Sequence, residues 1–527
     1  MNVARLGIDY GTTNTVVVCS DRGRYPVVPH ITETAVGPVA REVFPSLVVL
    51  DRETGQLIFG SEAERCLTRP GAEKRYGVLG SLKRLLRDYA DGRRVGQSIV
   101  PEGLDLAAVL REFCGALRAS IMRSGFFAEN EPLETVITWP ANANGAQRYV
   151  TRKSFKDAGV EILATLTEPA ASAIEFADRL ARGNRARARQ LEASIAVFDL
   201  GGGTFDVSLV RIHGPEFTVV DTAGIEQLGG DDFDRILAQR LAEAVKIDFD
   251  GLRPFQRAML LLHARQQKES ISAGPAASLT FAADDLGLGS GVGTVPVKAY
   301  FKELEKLLEP AIEKLWSLIN GAAARSAGIQ SQDLTAIYLV GGSSKLPLVP
   351  KMLARRFRDV RLVMTDKPFT STAMGAAIRS AEGVRLQEIL SRTFGVLRLA
   401  EHGTRDCFDP IFAAGTRLPQ RHESPLRHKV RYSPRHNIGH LRYLECAGVN
   451  AAGWPSDGVR QWSDILFPYD PAIPVGSRLT PDQIVPRDDL ADQWVEEKYI
   501  CDADGVITVT IRRLSDGQSC TYEIFRN

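Results

Sequence analysis

The feature that most constrains this chain is a short pattern that occurs twice, 190 residues apart. Ile8-Asp9-Tyr10-Gly11-Thr12-Thr13-Asn14 returns in outline as Phe198-Asp199-Leu200-Gly201-Gly202-Gly203-Thr204. Each copy follows an apolar run (4–8 and 194–198) and precedes another (15–19 and 205–210), so each predicts a β-hairpin with a glycine- and threonine-rich tip. Two equivalent hairpins so far apart predict a duplicated architecture, two similar α/β lobes facing each other across a cleft. Helical periodicity fills the intervals, over 107–122, 146–158, 170–180, 233–245 and 301–326. A strand-turn-helix follows at 336–357 and a small-residue helix at 371–381.

The texture changes after Gly383, where helical periodicity gives way to short strand-like runs between Pro and Gly clusters. The runs 494–500, 506–512 and 519–525, separated by Asp502-Ala503-Asp504-Gly505 and Ser515-Asp516-Gly517-Gln518, predict a three-stranded meander. An α/β unit over 1–383, a connecting segment at 384–392 and an all-β sandwich over 393–527 are therefore expected. At roughly 150 residues per domain, a chain of 527 residues has room for three or four cores. The 65 basic and 64 acidic side chains leave a net charge of +1, which argues against nucleic acid as a partner. No apolar run approaches the roughly 20 residues of a membrane span, and the N-terminus enters a strand at once, so a cytoplasmic protein is expected. Seven cysteines without a C-x-x-C pair indicate neither a disulfide framework nor a zinc ribbon. The histidines and Cys446 of the last third lack compact zinc spacing, and the basic runs 182–189 and 421–442 read as solvated loops.

A hairpin tip rich in Gly and Thr turns several N–H groups and hydroxyls toward one anion. Gly11, Thr12, Thr13 and Asn14 do so in the first copy, and Gly201, Gly202, Gly203 and Thr204 in the second. One such tip alone is more often a tight turn; two at matching positions make a phosphate clamp the better reading. Asp9 and Asp199, each just before a tip, are placed to hold a hydrated Mg²⁺ through water. Ile337 to Ser344, with Gly341, Gly342 and Ser343 at the turn, is a buried strand running into a glycine turn and a helix. Nucleotides bind at such places, although Gly-Gly there also serves packing alone.

Together these segments resemble the seventy-kilodalton heat-shock chaperone family, of the actin-like ATPase superfamily. Leu166-Thr167-Glu168-Pro169-Ala170-Ala171-Ser172-Ala173, Ser81-Leu82-Lys83-Arg84-Leu85, Thr138-Trp139-Pro140-Ala141 and Leu228-Gly229-Gly230-Asp231-Asp232-Phe233-Asp234 fit it in the same order. The resemblance covers about 4–381, with weaker matches at 408–419 and 502–509 that are similar to the family's peptide-binding β-sandwich. It implies slow hydrolysis of ATP to ADP and phosphate with Mg²⁺. Thr12 and Thr13 would contact the β- and γ-phosphates and Thr204 the γ-phosphate. Glu168 would lie near the magnesium water shell, Lys83 would place the attacking water, and Asp206 or Asp199 would accept its proton. Without the other motifs, Lys83 reads as a solvated helix lysine and Glu168-Pro169 as a helix start.

Departures gather where the resemblance puts the adenosine. Lys268 and Ser272 match, but Arg265 stands for the usual Glu, Glu269 for an adenine-stacking Arg, Lys345 for a second stacking Arg, and Phe369 for an acid. Only guanidinium is planar, so Lys does not replace it; weaker ATP binding and poorer discrimination against GTP are expected. The chain ends soon after the last strand, without the family's helical lid, which predicts loose holding of clients. The expected function is an ATP-dependent chaperone-like protein that binds unfolded or extended polypeptides, with a J-domain protein and a nucleotide exchange factor as the implied partners. The alternatives are a nucleotide-dependent adaptor with one dedicated partner and weak or no ATPase, and a sugar or metabolite kinase on the same fold.

Overall fold

The computed structural model describes residues 3–34, 37–69, 71–83, 85, 105–128, 131–181, 185–287, 289–365, 367–381, 383–400 and 405–524. Contacts divide them into two compact units. One holds the described residues of 3–85, 105–142 and 153–386; the other holds 143–152 and 387–524.

The first unit is built on two sheets of repeated topology. Strands β1 (Ala4–Tyr10), β2 (Asn14–Ser20), β3 (Phe44–Pro45), β4 (Leu133–Trp139) and β5 (Glu161–Thr167) lie in the order β5-β4-β1-β2-β3. Helix α1 (Glu168–Ala181) follows directly from β5. Strands β6 (Glu192–Leu200), β7 (Phe205–His213) and β8 (Glu216–Ile225) open the second sheet. After helices α2 (Gly230–Ala244), α3 (Pro254–Ala273) and α4 (Val297–Ile319) come β9 (Ala336–Val340) and β10 (Leu362–Met364). With the short β11 (Arg385–Gln387), which lies inside the expected connecting segment, the order is β10-β9-β6-β7-β8-β11. In both sheets a hairpin of antiparallel strands has its first strand paired in parallel with a later one, β1 with β4 and β6 with β9. The duplication expected from the repeat is thus present in the topology. β6 and β9 read as almost continuous apolar runs because both of their faces are covered.

Helix α5 (Ser371–Ser380) lies directly on β1 and crosses α1. Small residues permit this: a Cβ on Gly7 would fall 2.2 Å from the Ala377 nitrogen, and one on Gly375 would fall 1.8 Å from the Ala171 carbonyl oxygen. The expected helix over 301–326 is two helices. α4 ends at Asn320, whose side-chain amide donates to the Trp316 carbonyl, and a short helix (Ala322–Ser326) begins after Gly321. Asn-Gly is a helix-stop signal that apolar periodicity on either side conceals.

In the second unit, β12 (Thr393–Ala400), β13 (Arg405–Phe412), β14 (Leu426–Tyr432), β15 (Ile438–Cys446), β16 (Arg460–Pro468), β17 (Val495–Cys501), β18 (Ile507–Arg513) and β19 (Ser519–Glu523) form two antiparallel four-stranded sheets. Their orders are β13-β12-β15-β16 and β14-β17-β18-β19, the latter containing the expected meander. Inward side chains of both sheets share one core, including Phe394, Val396, Tyr443, Phe467, Tyr499 and Val509. On the outer face of the second sheet, the edge strand β14 exposes Arg427, Lys429 and Arg431. Lys429 lies opposite Lys498 in register, and Glu496 bridges them at 2.8 Å and 3.0 Å. Among the described residues, no helix is long and apolar enough to cross a membrane.

Candidate functional site

The two hairpins of the first unit bring their tips together. Gly11 has to be glycine, since a Cβ there would lie 2.2 Å from the Asn14 carbonyl oxygen, and a Cβ on Gly202 would lie 2.3 Å from Thr13 Oγ1. The first tip is braced from outside: Ser46 Oγ donates to the Gly11 carbonyl (2.8 Å), and the Ser46 N–H donates to the Thr13 carbonyl (2.8 Å). The second tip is held by α2, whose Gly230 and Asp231 N–H groups donate to Gly201 and Gly202 carbonyls (3.0 and 2.7 Å), and by Ser343 Oγ on Gly201 (2.8 Å). Both tips open onto one cleft, lined at this inner end by Gly11, Thr12, Thr13, Asn14, Gly201, Gly202 and Thr204. Gly203 is buried behind the second tip and does not line the cleft.

Four carboxylates and one lysine surround the inner end. Lys83, Glu168, Asp9 and Asp199 line it, while Asp206 sits just behind at 2% exposure. Glu168 is the first residue of α1, with Pro169 next, so the helix start aims the carboxylate into the cleft. Lys83 donates to Glu168 Oε1, and its ammonium lies 5.9 Å from the Tyr10 ring centroid. Burial works against its charge, but Glu168 and Asp9 outweigh burial and hold it protonated. Thr138 Oγ1 donates to Asp9 (3.2 Å), and the backbone and side-chain N–H groups of Asn142 donate to Asp206 (3.2 and 3.3 Å). Burial first, and Glu168 second, push the Asp9 and Asp206 carboxyls up to about 7 and Asp199 well above its ordinary range. Asp199 and Asp206 also face each other across the hairpin register, a like-charge pairing that sheets avoid.

That excess of negative charge suits a cation. Among the described residues, no cluster of His, Cys, Asp or Glu is arranged to ligate a metal ion directly. Asp9 and Asp199 on opposite hairpins fit a hydrated Mg²⁺ held through its waters.

The outer end of the cleft is lined by Arg265, Lys268, Glu269, Ser272, Gly342 and Phe369, together with Gly341 and Ser343. Gly341 has φ +80°, and a Cβ there would lie 2.4 Å from the Leu200 carbonyl oxygen, so the turn requires glycine. The cations of α3 are tied down. Lys268 Nζ reaches Asp234 Oδ1 (2.8 Å) and the Gly230 carbonyl (2.9 Å); Arg265 reaches Asp231 (3.0 Å) and Asp234 (3.2 Å). Lys345 does not line the cleft; its ammonium lies 4.7 Å from the Phe369 ring centroid. Sequence reasoning missed Ser46, Thr138 and Asn142 as supports, because each reaches the site through contacts 35 to 129 residues apart in the chain.

A second recess lies within the β-sandwich unit, lined among others by Arg398, Asp409, Tyr432, His436, Ile438 and Tyr469. Its floor is polar. Arg398 forms a fork with the fully buried Glu497 (2.6 and 2.8 Å), Tyr432 donates to the same carboxylate (2.5 Å), and Tyr432 and Tyr469 share a hydrogen bond of 2.6 Å.

The sequence profile of the Hsp70 protein family matches residues 127–397, just over half of the chain. The chaperone protein DnaK of Mycoplasmopsis agalactiae is 30% identical over 424 residues, 79% of this chain and 64% of that protein. The chaperone protein HscA homologs of Burkholderia ambifaria and Tolumonas auensis are each 30% identical over 391 residues, 71% of this chain and 58% and 57% of those proteins. The chain thus spans about three fifths of the length of these curated relatives.

Proposed function

The chain belongs to the Hsp70 family, with an actin-like ATPase unit and a β-sandwich, and on that premise we propose that it is an ATP-dependent chaperone-like protein. It hydrolyses ATP slowly and couples the nucleotide cycle to holding an extended polypeptide. The observation that carries the reading is the Lys83–Glu168 pair set beneath two facing tips, with Asp9 and Asp199 beside it.

The groups divide the work. The tips present N–H groups and the Thr12, Thr13 and Thr204 hydroxyls to the phosphates, a preorganised arrangement of the kind that lowers the cost of developing charge. Lys83, fixed by Glu168, orients a water at the γ-phosphorus. The water oxygen bonds to phosphorus, the bond from phosphorus to the β–γ bridging oxygen breaks, and the proton passes to Asp206 or Asp199. Asp9 and Asp199 would hold a hydrated Mg²⁺ through its waters, and it would supply neutralisation of phosphate charge. Lys268, Ser272 and Ser343 hold the nucleoside end, and Lys345 acts through Phe369.

The recess in the β-sandwich supports polypeptide binding by main-chain hydrogen bonds and a side-chain pocket. A J-domain protein and a nucleotide exchange factor are the expected partners, and the cytoplasm the expected compartment. The polar floor of the recess favours one second reading, an adaptor whose single partner presents a polar group there. Steady-state Mg-ATP hydrolysis with and without a library of unfolded peptides tests the proposal. Stimulated turnover supports the chaperone; no turnover and no peptide binding, with tight binding of one partner, replaces it with the adaptor.

A further inference from the structure

Phe369 is out of keeping with its surroundings. The apolar side chains that share its cleft, Val16, Phe233 and Leu346, are buried, whereas Phe369 is 45% exposed. Its ring is nonetheless held in place. The edge rests against Gly342, where a Cβ would come 2.5 Å from Cε1, so any side chain at that turn would displace the ring. The Lys345 ammonium, 4.7 Å from the centroid, stands over one face in a cation–π contact. What remains uncovered is aromatic surface that lines the cleft.

Among the described residues, the two cations of α3 that line this end are already engaged. Arg265 is bound through Nε and Nη2 to Asp234 and Asp231, and Lys268 is bound to Asp234 and the Gly230 carbonyl. Glu269, one residue beyond Lys268, is exposed and lines the same cleft, so it adds a carboxylate to this end.

We propose that Phe369 is the platform on which the base of the bound nucleotide stacks, and that the site therefore accepts guanine about as well as adenine. Stacking on an aromatic ring is tolerant of base identity, since every base has a π-face. A carboxylate adds a bias of its own. It accepts two parallel hydrogen bonds from the N1–H and N2–H₂ of guanine, and one from the amino group of adenine. This inference rests on the reading of the cleft as a nucleotide site.

The test is calorimetry on the full chain with Mg-ADP, Mg-GDP and inorganic tripolyphosphate, the last as a base-free probe of the phosphate tips. In the wild type, ADP and GDP should bind within about tenfold of each other. Phe369→Ala should weaken both by about 5- to 150-fold, the range found when one stacking aromatic is removed, and leave tripolyphosphate unchanged. Phe369→Trp should keep nucleotide affinity; since position 369 is exposed, both variants should melt at the wild-type temperature. Unchanged ADP affinity in Phe369→Ala, or GDP binding more than 100-fold weaker than ADP in the wild type, overturns the platform and leaves the ATPase reading standing. Nucleotides binding no tighter than tripolyphosphate also overturns it, with the phosphate site intact. A wild type that binds none of the three ligands overturns the nucleotide reading itself and the platform with it.

Discussion

The inner and outer ends of the cleft are built on different principles. At the inner end the working groups are mostly backbone, placed by glycines that admit no Cβ and braced by Ser46, Ser343 and the start of α2. At the outer end they are side chains on the faces of α3 and the Gly342 turn. A backbone clamp cannot change one residue at a time without losing the hairpin. A side-chain pocket can, so the outer end tolerates single substitutions that the inner end does not.

The comparison is broken most directly at Lys83. Lys83→Ala should lower single-turnover hydrolysis by about 10²- to 10³-fold, the usual cost of losing one positioned donor, while ATP affinity by calorimetry stays within about twofold. Unchanged turnover would remove Lys83 from the mechanism. Next comes Asp234, whose carboxylate anchors both Lys268 and Arg265. Asp234→Asn should lower stability by about 2 kcal/mol, because Lys268 and Arg265 lose a charged partner and keep only the Gly230 carbonyl and Asp231, and weaken ADP while sparing tripolyphosphate. Equal weakening of both ligands would show that the two ends are not separable. Ser46→Ala should weaken ATP and tripolyphosphate alike by about three- to tenfold, as the Gly11 carbonyl loses a hydrogen bond worth about 1 kcal/mol. The smallest effect is expected from Glu269→Arg, which adds a planar cation at the base. ADP should bind about two- to fivefold more tightly, with the ADP to GDP ratio widening in parallel; a ratio that does not move would take Glu269 out of base selection.

The same difference governs what could be read from the sequence. The hairpins are legible because apolar alternation flanks a Gly-Thr tip, and glycine in such a place reports backbone geometry without any partner being known. Lys83 and Glu168 are legible only in the company of the other motifs, since a lysine in Lys-Arg-Leu-Leu-Arg looks solvated until the fold buries it against Glu168. Ser46, Thr138 and Asn142 carry no local signal, because an isolated Ser, Thr or Asn has the same pattern wherever tertiary contacts send it. Asp199 facing Asp206 is a middle case: the register is implied by the hairpin, and the conflict of charge marks the site. In the second unit the terminal meander follows from turn chemistry, whereas the Glu497–Arg398 pair lies on two strands 99 residues apart and could not be foreseen.

The cationic edge of the sandwich bears on how the molecules behave together. β14 is the last strand of its sheet among the described residues, and an unpaired strand edge is a template for another copy of the same chain. Arg427, Lys429 and Arg431 stand along it, and Glu496 on β17 pairs with both Lys429 (2.8 Å) and Arg431 (2.6 Å), so the cations outnumber the one carboxylate and two such edges meeting would each bring a net positive charge. The guard is electrostatic rather than steric, and its reach contracts from about 10 Å at 0.1 M salt to about 3 Å at 1 M. Repulsion between two such edges is therefore set by the solvent as well as by the chain: strongest in dilute buffer and largely screened in concentrated salt.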